Sequence, residues 1–145
     1  MAAVDLNTIR SSIEERLQTE LKSGRASRNG IPVIFNNLAY VPESNTTWCQ
    51  CLISFGSSSY ETLGGATGST NSLAGIVTVN IFTAKAKGAG ENLGIAKRIR
   101  DLYNRIILSG VRFDPPIGPQ VLDVSRPEGY FQTQIRVSFD VYEDL

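Results

Sequence analysis

The C-terminal part of the chain alternates between two kinds of residue without a break. Over residues 131–142, one set of alternate positions is mostly apolar and the other is mostly polar. The first set is Phe131, Thr133, Ile135, Val137, Phe139 and Val141, and the second is Gln132, Gln134, Arg136, Ser138, Asp140 and Tyr142. A period of two residues predicts a β-strand with one buried and one solvated face. Such strands are typical of antiparallel sheets that leave one face exposed.

Two other segments have the helical period. Apolar residues three or four positions apart predict one helix over residues 7–22 and a second over residues 91–108. Gly110 stands where a left-handed helix cap is expected. The predicted buried stripes are Leu6, Ile9, Ile13, Leu17 and Leu21 in the first helix, and Leu93, Ala96, Ile99, Leu102, Tyr103 and Ile106 in the second.

Shorter apolar or alternating segments predict the remaining strands, at residues 32–35, 48–55, 74–83, 111–113 and 121–125. Packing both helices on the apolar face of one sheet buries all of these stripes at once. We therefore predict a single α+β domain over residues 1–145. It has a mainly antiparallel sheet with two helices packed on one face, and its other sheet face is polar and open.

Residues 56–73 interrupt this pattern. They are rich in Gly, Ser and Thr, and no apolar period runs through them. A connection of this length within a compact domain is typical of a functional or disordered segment. We predict a long flexible loop whose large apolar residues, Tyr60, Leu63 and Leu73, contact a partner.

The charge balance argues against a dedicated nucleic-acid-binding protein. The chain has 14 Lys and Arg against 14 Asp and Glu, whereas such proteins carry a basic excess. Residues 1–5 lack the basic start and apolar core of a signal peptide, and no apolar run reaches membrane-spanning length. We expect a protein that is made and kept in a cytoplasm and does not enter a membrane.

The strongest candidate for a catalytic motif is the glycine-rich stretch at residues 85–94, which follows a predicted strand and opens a predicted helix. Backbone amides at the start of a helix attract phosphate. However, Gly88, Gly90 and Gly94 are spaced G-x-G-x-x-x-G, one residue longer than the dinucleotide-binding motif, and no Walker lysine is in place. We expect a flexible turn, and we keep a small nucleotide-binding enzyme that uses residues 88–94 as an alternative.

The chain offers few other groups for catalysis or metal binding. It has no histidine, which excludes a serine–histidine pair. Cys49 and Cys51 share one face of a predicted strand, but zinc needs four ligands. We expect both cysteines to be small buried hydrophobes, and a metal site shared between subunits is the alternative. The prediction is a protein without enzymatic activity, catalytic residues, metal or cofactor.

Several stretches of the chain together resemble one known family. They are the opening helix at residues 6–17, the PVIFNN stretch at residues 32–37, Pro42, and the strand with its long glycine–serine loop at residues 48–73. The most specific part is AGIVTVNIF at residues 74–82, followed by Lys87, Gly88 and a helix. The strand over residues 131–143 closes the chain. In this layout the chain resembles the short tail terminator, or tail completion, proteins of long-tailed bacteriophages.

The resemblance implies a structural virion protein of the tail and neck, assembled in the host cytoplasm, that forms a six-membered ring on the end of the tail tube. The ring stops tube polymerisation and provides the joint to the head. The implied partners are further copies of the chain, the tail tube protein, head–tail connector or neck proteins, and the sheath protein where the tail is contractile. DNA passes through the lumen without sequence-specific binding. A head-closure or baseplate component of the same particle is an alternative.

The residues that we expect at protein interfaces combine the loop with two locally basic neighbourhoods. Basic side chains in a neutral chain are mostly solvated surface, and contact with an acidic partner or with passing DNA backbone is the more specific alternative. The predicted interface residues are Arg25, Arg28, Tyr60, Glu61, Leu63, Asn71, Leu73, Lys85 and Lys87.

Overall fold

The computed structural model of the protein describes residues 5–23, 31–36, 47–60, 70–85, 89–108, 110–122 and 130–144. Over these ranges the chain forms two helices and seven strands. The helices are α1 (Leu6–Ser23) and α2 (Gly90–Tyr103), and the strands are β1 (Val33–Ile34), β2 (Trp48–Tyr60), β3 (Thr70–Ala84), β4 (Ile107–Leu108), β5 (Val111–Phe113), β6 (Ile117–Leu122) and β7 (Tyr130–Asp144).

The described strands form one seven-stranded sheet in the order β1-β2-β3-β7-β5-β4, and β6 also pairs with β7. The pair β1–β2 is parallel and the other described pairs are antiparallel. The register between β3 and β7 is continuous, from Thr70 opposite Asp144 to Ala84 opposite Tyr130. The predicted α+β fold with a mainly antiparallel sheet is therefore confirmed.

Both helices pack on the same face of the sheet, and the core lies between. The odd-numbered residues of β7 from Thr133 to Val141 are buried, as the alternation predicts. The apolar stripe of α1 is buried at Ile9, Ile13, Leu17 and Leu21. The main core also contains Cys49, Cys51, Ile53, Val77, Val79, Ile81, Ile95, Ala96, Ile99, Tyr103, Val111 and Phe113. Burying one such large side chain stabilises the fold by about 1.5–3 kcal/mol.

Local hydrogen bonds explain where α1 begins and how it meets α2. Asp5 caps α1, because its carboxylate accepts from the Asn7 backbone N–H at 3.0 Å and from the Thr8 hydroxyl at 2.9 Å. The Tyr103 hydroxyl donates to the backbone oxygen of Ile13 at 2.7 Å. The Asp5 contacts stabilise the start of α1, and the Tyr103 bond links α2 directly to α1.

The second helix is shorter than the sequence predicts. α2 ends at Tyr103 instead of Leu108, because Asn104 is extended and Arg105 adopts a positive φ of 56°. The chain then turns back, and Ile107 and Leu108 form β4. Leu93 is 42% exposed instead of buried, since the buried positions of α2 begin one residue earlier, at Asn92.

Asn92 is a buried polar residue that the apolar pattern does not reveal. Its side-chain amide donates to the backbone oxygens of Ile81 and Phe131, each at 3.1 Å, and its oxygen accepts from the Thr133 hydroxyl. A buried amide is stable only when its hydrogen bonds are made. Asn92 therefore fastens the first turn of α2 to β3 and β7.

The predicted loop at residues 56–73 is wrong at both of its ends. β2 continues to Tyr60 and β3 begins at Thr70, with a bulge between Phe55 and Ser58. Small polar residues occupy both faces of these strand ends, so that their sequence shows no alternation of apolar and polar positions. The backbone pairing between β2 and β3 nevertheless continues through them. Residues 61–69 of the predicted loop lie outside the described residues.

The sheet face away from the helices is less open than expected. At one end, Trp48 stacks on Phe82 with ring centroids 4.1 Å apart, and Tyr130 meets both rings edge-on, so that all three side chains are buried. Beside them lies a network of four amides. The Asn80 side chain accepts from Gln132 and Gln134 and donates to Gln50. In the far half of this face the described β3 and β7 side chains, such as those of Thr78, Ser138 and Asp140, are half-buried.

Candidate assembly surface

The structure places the predicted interface residues in different parts of the molecule. Arg25, Arg28, Glu61, Leu63 and Lys87 lie outside the described residues. Three of the others are in or beside β3, and Tyr60 ends β2 opposite Asn71, with only its backbone described.

The described members do not form one patch. Asn71 is half-buried near the start of β3, whereas Lys85 is exposed in the turn after its end. Lys85 lies fourteen positions after Asn71, which is up to about 46 Å along an extended strand. Leu73 is only 8% exposed and pairs with Val141 on the core side of the sheet. Leu73 is therefore a packing residue of its own subunit, not an exposed anchor.

The outer edge of β2 is blocked over its first half. The Cys49 backbone N–H donates to the Pro32 carbonyl at 2.9 Å, where β1 lies alongside. Further along, the Asn36 side chain holds both backbone groups of Ile53. Its oxygen accepts from the Ile53 N–H at 2.8 Å, and its amide donates to the Ile53 carbonyl at 3.3 Å.

Beyond Ile53, no strand within the described ranges pairs with the outer side of β2. Ser54, Gly56 and Ser58 are exposed there. We refer to residues 54–60 of β2 as the open edge. Its residues are SFGSSSY, without the charged side chains or proline that commonly protect an edge strand from pairing.

The opposite end of the sheet is β4, which pairs with β5 on one side. Ile107 of β4 is 72% exposed. On β6, which pairs further along β7, Ile117 is 52% and Val121 is 56% exposed. They are opposite Arg136 and Thr133 of β7, whereas the row of Ile107 passes through Asp140. The three side chains are therefore separate exposed positions and not one patch.

A cluster of three polar side chains lies between these edges. The Arg112 guanidinium donates to both oxygens of Asp140, at 3.2 and 2.8 Å, and to the Tyr142 hydroxyl at 2.7 Å, with its carbon 4.6 Å from the Tyr142 ring centre. The hydrogen bond to Asp140 raises the pKa of Arg112. The three groups satisfy one another at the surface, which is a structural role.

Only part of the glycine-rich motif lies within the described residues. α2 begins at Gly90, and Gly94 lies in its second turn with its Cα facing open space, while residues 86–88 are outside the described ranges. A groove of about 460 Å³ lies elsewhere, between α1 and the last turn of α2. It is lined by Ser12, Glu15, Arg16, Thr19, Glu20, Leu102 and Leu108.

Both cysteines are buried with free thiols, as predicted. Burial is the main reason why the pKa of both is raised, in the case of Cys51 to about 12. Both thiols belong to the core cluster of their own subunit. In the described part of the chain, no three His, Cys, Asp or Glu residues come together as metal ligands.

None of the described helices is long and apolar enough to cross a membrane. No family model matches the sequence, and no curated protein is a significant match. Several solved structures match this chain. One of them, whose name states no function, is similar over 99% of this chain and 97% of its own, with a TM-score of 0.65 and 15% sequence identity. At this identity the similarity shows a shared fold.

Proposed function

We propose that the protein is a structural component of a bacteriophage particle. It forms a ring on the end of the tail tube, stops tube polymerisation and joins the tail to the head. Its partners are further copies of itself, the tail tube protein and the neck proteins, and DNA passes through the ring. In this proposal the protein has no enzymatic activity and binds no cofactor, and it acts in the virion after assembly in the host cytoplasm.

The observation that carries the proposal is the open edge of β2. The unpaired N–H and C=O groups of an edge strand pair readily with another chain, and monomeric proteins usually block them. Here Asn36 and β1 block the edge as far as Ile53. No described strand pairs with residues 54–60 on that side, and these residues include no charge and no proline. An edge that is protected in one half and, within the described ranges, unpaired in the other suits a defined protein contact.

The order of the elements supports the same proposal. A first helix, a long hairpin, a second helix and a long C-terminal strand follow the layout on which the resemblance to tail terminators rests. In addition, the zero net charge removes one barrier to self-association.

A tube-polymerisation assay tests the proposal. Purified tail tube protein of the same phage is polymerised with and without this chain, and tube lengths are measured by electron microscopy. We expect shorter tubes with a ring at one end. Unchanged lengths with bare ends would contradict the proposal, whereas binding to the neck but not to tube ends would favour a head-closure role.

Calorimetric titration addresses the enzyme alternative. We expect no heat of binding with ATP, GTP or NAD, because the spacing of Gly88, Gly90 and Gly94 is one residue longer than the dinucleotide-binding motif. Micromolar binding of any of the three would favour a nucleotide-binding enzyme instead.

A further inference from the structure

The sheet has two different edges, which are the open edge of β2 on one side and β4 on the other. We propose that the open edge of one copy pairs with β4 of the next copy, so that copies join head to tail. This inference rests on the proposed function, since it names the surfaces from which the ring is built.

The register of the sheet determines which backbone groups the open edge offers. The Ile53 N–H points away from β3, to the outer side of β2, where it donates to Asn36. The residue opposite it, Val77 of β3, therefore directs its backbone groups to β7. Leu73 is four residues from Val77 on β3 and also directs its backbone groups to β7, because the β3–β7 pairing is unbroken. Ser58 is opposite Leu73, and its N–H therefore points to the outer side like that of Ile53. Hydrogen bonds alternate in this way along any antiparallel pair.

One row of residues that are opposite one another runs across the sheet from the open edge to β4. Ser58 is opposite Leu73, Leu73 is opposite Val141, Val141 is opposite Val111, and Val111 is opposite Leu108 of β4. The free edges are thus level along the strand direction. A head-to-tail contact between level edges needs no shift along the strands from one copy to the next. Such a heterologous contact closes into a ring when each step is a pure rotation, and grows into a helical filament when a shift is added.

The side chains at the two edges are compatible with this contact. Ile107 is 72% exposed beside Leu108, and the open edge presents small, uncharged residues at Ser54, Gly56 and Ser58. An apolar side chain that contacts these three residues meets no charge and no bulky side chain. Because one chain carries both edges, a closed ring of copies pairs both edges of every copy, whereas a different protein that binds one edge leaves the other free.

Two single substitutions each block one edge. Ser58→Pro removes the outward N–H of the open edge without touching the core, since Ser58 is exposed. Ser58→Ala is its matched control, because alanine keeps the N–H. Ile107→Lys places a charge on β4, and Val121→Lys is its control, since Val121 is similarly exposed on β6. Circular dichroism melts check that each variant is folded. Ile107→Lys keeps the test valid if Ser58→Pro does not fold.

Sedimentation velocity over a concentration series provides the readout. We expect wild type, Ser58→Ala and Val121→Lys to assemble and both blocking variants to be monomers. A mixture of Ser58→Pro and Ile107→Lys still has one good edge on each partner, so it forms a one-to-one dimer and nothing larger.

Three results would overturn the inference: assembly of folded blocking variants as in wild type, self-dimerisation of Ile107→Lys through two open edges, or a wild-type chain that is monomeric at every concentration. The tube-polymerisation assay measures separately whether the chain caps tail tubes. If the chain caps tubes but its folded blocking variants still assemble, the proposed edge contact is wrong and the proposed function stands. If the chain assembles through these edges but does not cap tubes, the proposed function is wrong and the edge contact stands.

Discussion

Gly75 lies where β3 leaves the helix-covered core, between Phe55 on β2 and Phe139 on β7. In Gly75→Ala, the new Cβ would be 2.3 Å from Phe139 Cζ and 2.8 and 2.9 Å from its two Cε atoms. Carbon atoms in contact are about 3.5–4.0 Å apart, so the ring must move by more than about 1 Å. Phe139 is 2% exposed, and its ring centroid is 5.9 Å from those of Phe55 and Phe113. No free space therefore receives the displaced ring.

The expected sign is opposite to that of an ordinary glycine-to-alanine change in a strand. Alanine normally stabilises such a position by about 0.5–1 kcal/mol, because the unfolded chain loses entropy. Overpacking a core costs about 1–3 kcal/mol, and disturbing one aromatic contact costs a further 0.5–1.5 kcal/mol or so. The net result is a loss of about 1–3 kcal/mol in the free energy of unfolding, or a melting temperature lower by about 3–10 °C.

Urea and thermal unfolding measure this loss. Gly94→Ala is the matched control, since a Cβ at Gly94 meets nothing within 4 Å, and we expect it to raise stability by about 0.5–1 kcal/mol. Phe139→Leu provides the second test, because Gly75→Ala should cost much less once the ring is gone. A Gly75→Ala protein as stable as wild type, or an equal cost with and without Phe139, would refute the packing described here.

Three further predictions concern the core. Val137→Asp should unfold the domain, because it buries a charge without a partner, whereas Ser138→Asp, on the other sheet face, should fold; melts by circular dichroism decide, and a folded Val137→Asp would contradict the assigned register. Asn92→Ala should lower the free energy of unfolding by about 2–3 kcal/mol, since it removes the hydrogen bonds to two strand carbonyls; a loss below about 0.5 kcal/mol in urea unfolding would be inconsistent with that role. The buried thiols should make stability pH-dependent, because the native pKa of Cys51 is raised to about 12 whereas an unfolded thiol has a pKa of about 8.5. As the pH rises, the unfolded chain therefore loses its thiol protons first. The free energy of unfolding is unaffected below about pH 8 and then falls by up to about 1.4 kcal/mol per pH unit for each thiol. Urea midpoints at pH 7 and pH 10 should therefore differ more for wild type than for the Cys49→Ala/Cys51→Ala variant, and equal differences would disprove the effect.

The sequence correctly predicts those elements of the fold in which apolar and polar side chains alternate regularly. The alternation in β7 and the stripe of Ile9, Ile13, Leu17 and Leu21 correctly placed the main core, because a period of two or of four residues directly reflects which face is buried. The far half of the β2–β3 hairpin was missed, since its strands are stabilised by backbone pairing and by neighbours distant in sequence. The residues SFGSSSY show no apolar–polar alternation that would predict pairing with β3.

The candidate site was harder to predict for the same physical reason. An open edge is a property of strand order, and the order of β1, β2 and the Asn36 side chain depends on contacts between segments far apart in the chain. Leu73 was correctly identified as a large apolar residue, but its partner Val141 belongs to its own subunit. Burial by a distant strand could not be read from the residues around Leu73.

Electron microscopy of phage particles that carry a labelled copy of this chain would locate the chain in the virion. We propose a ring at the end of the tail tube that faces the head, and we therefore expect label at that junction, in six copies in each particle as the resemblance implies. Label at the baseplate, on the capsid, or nowhere on the particle would contradict the proposed ring.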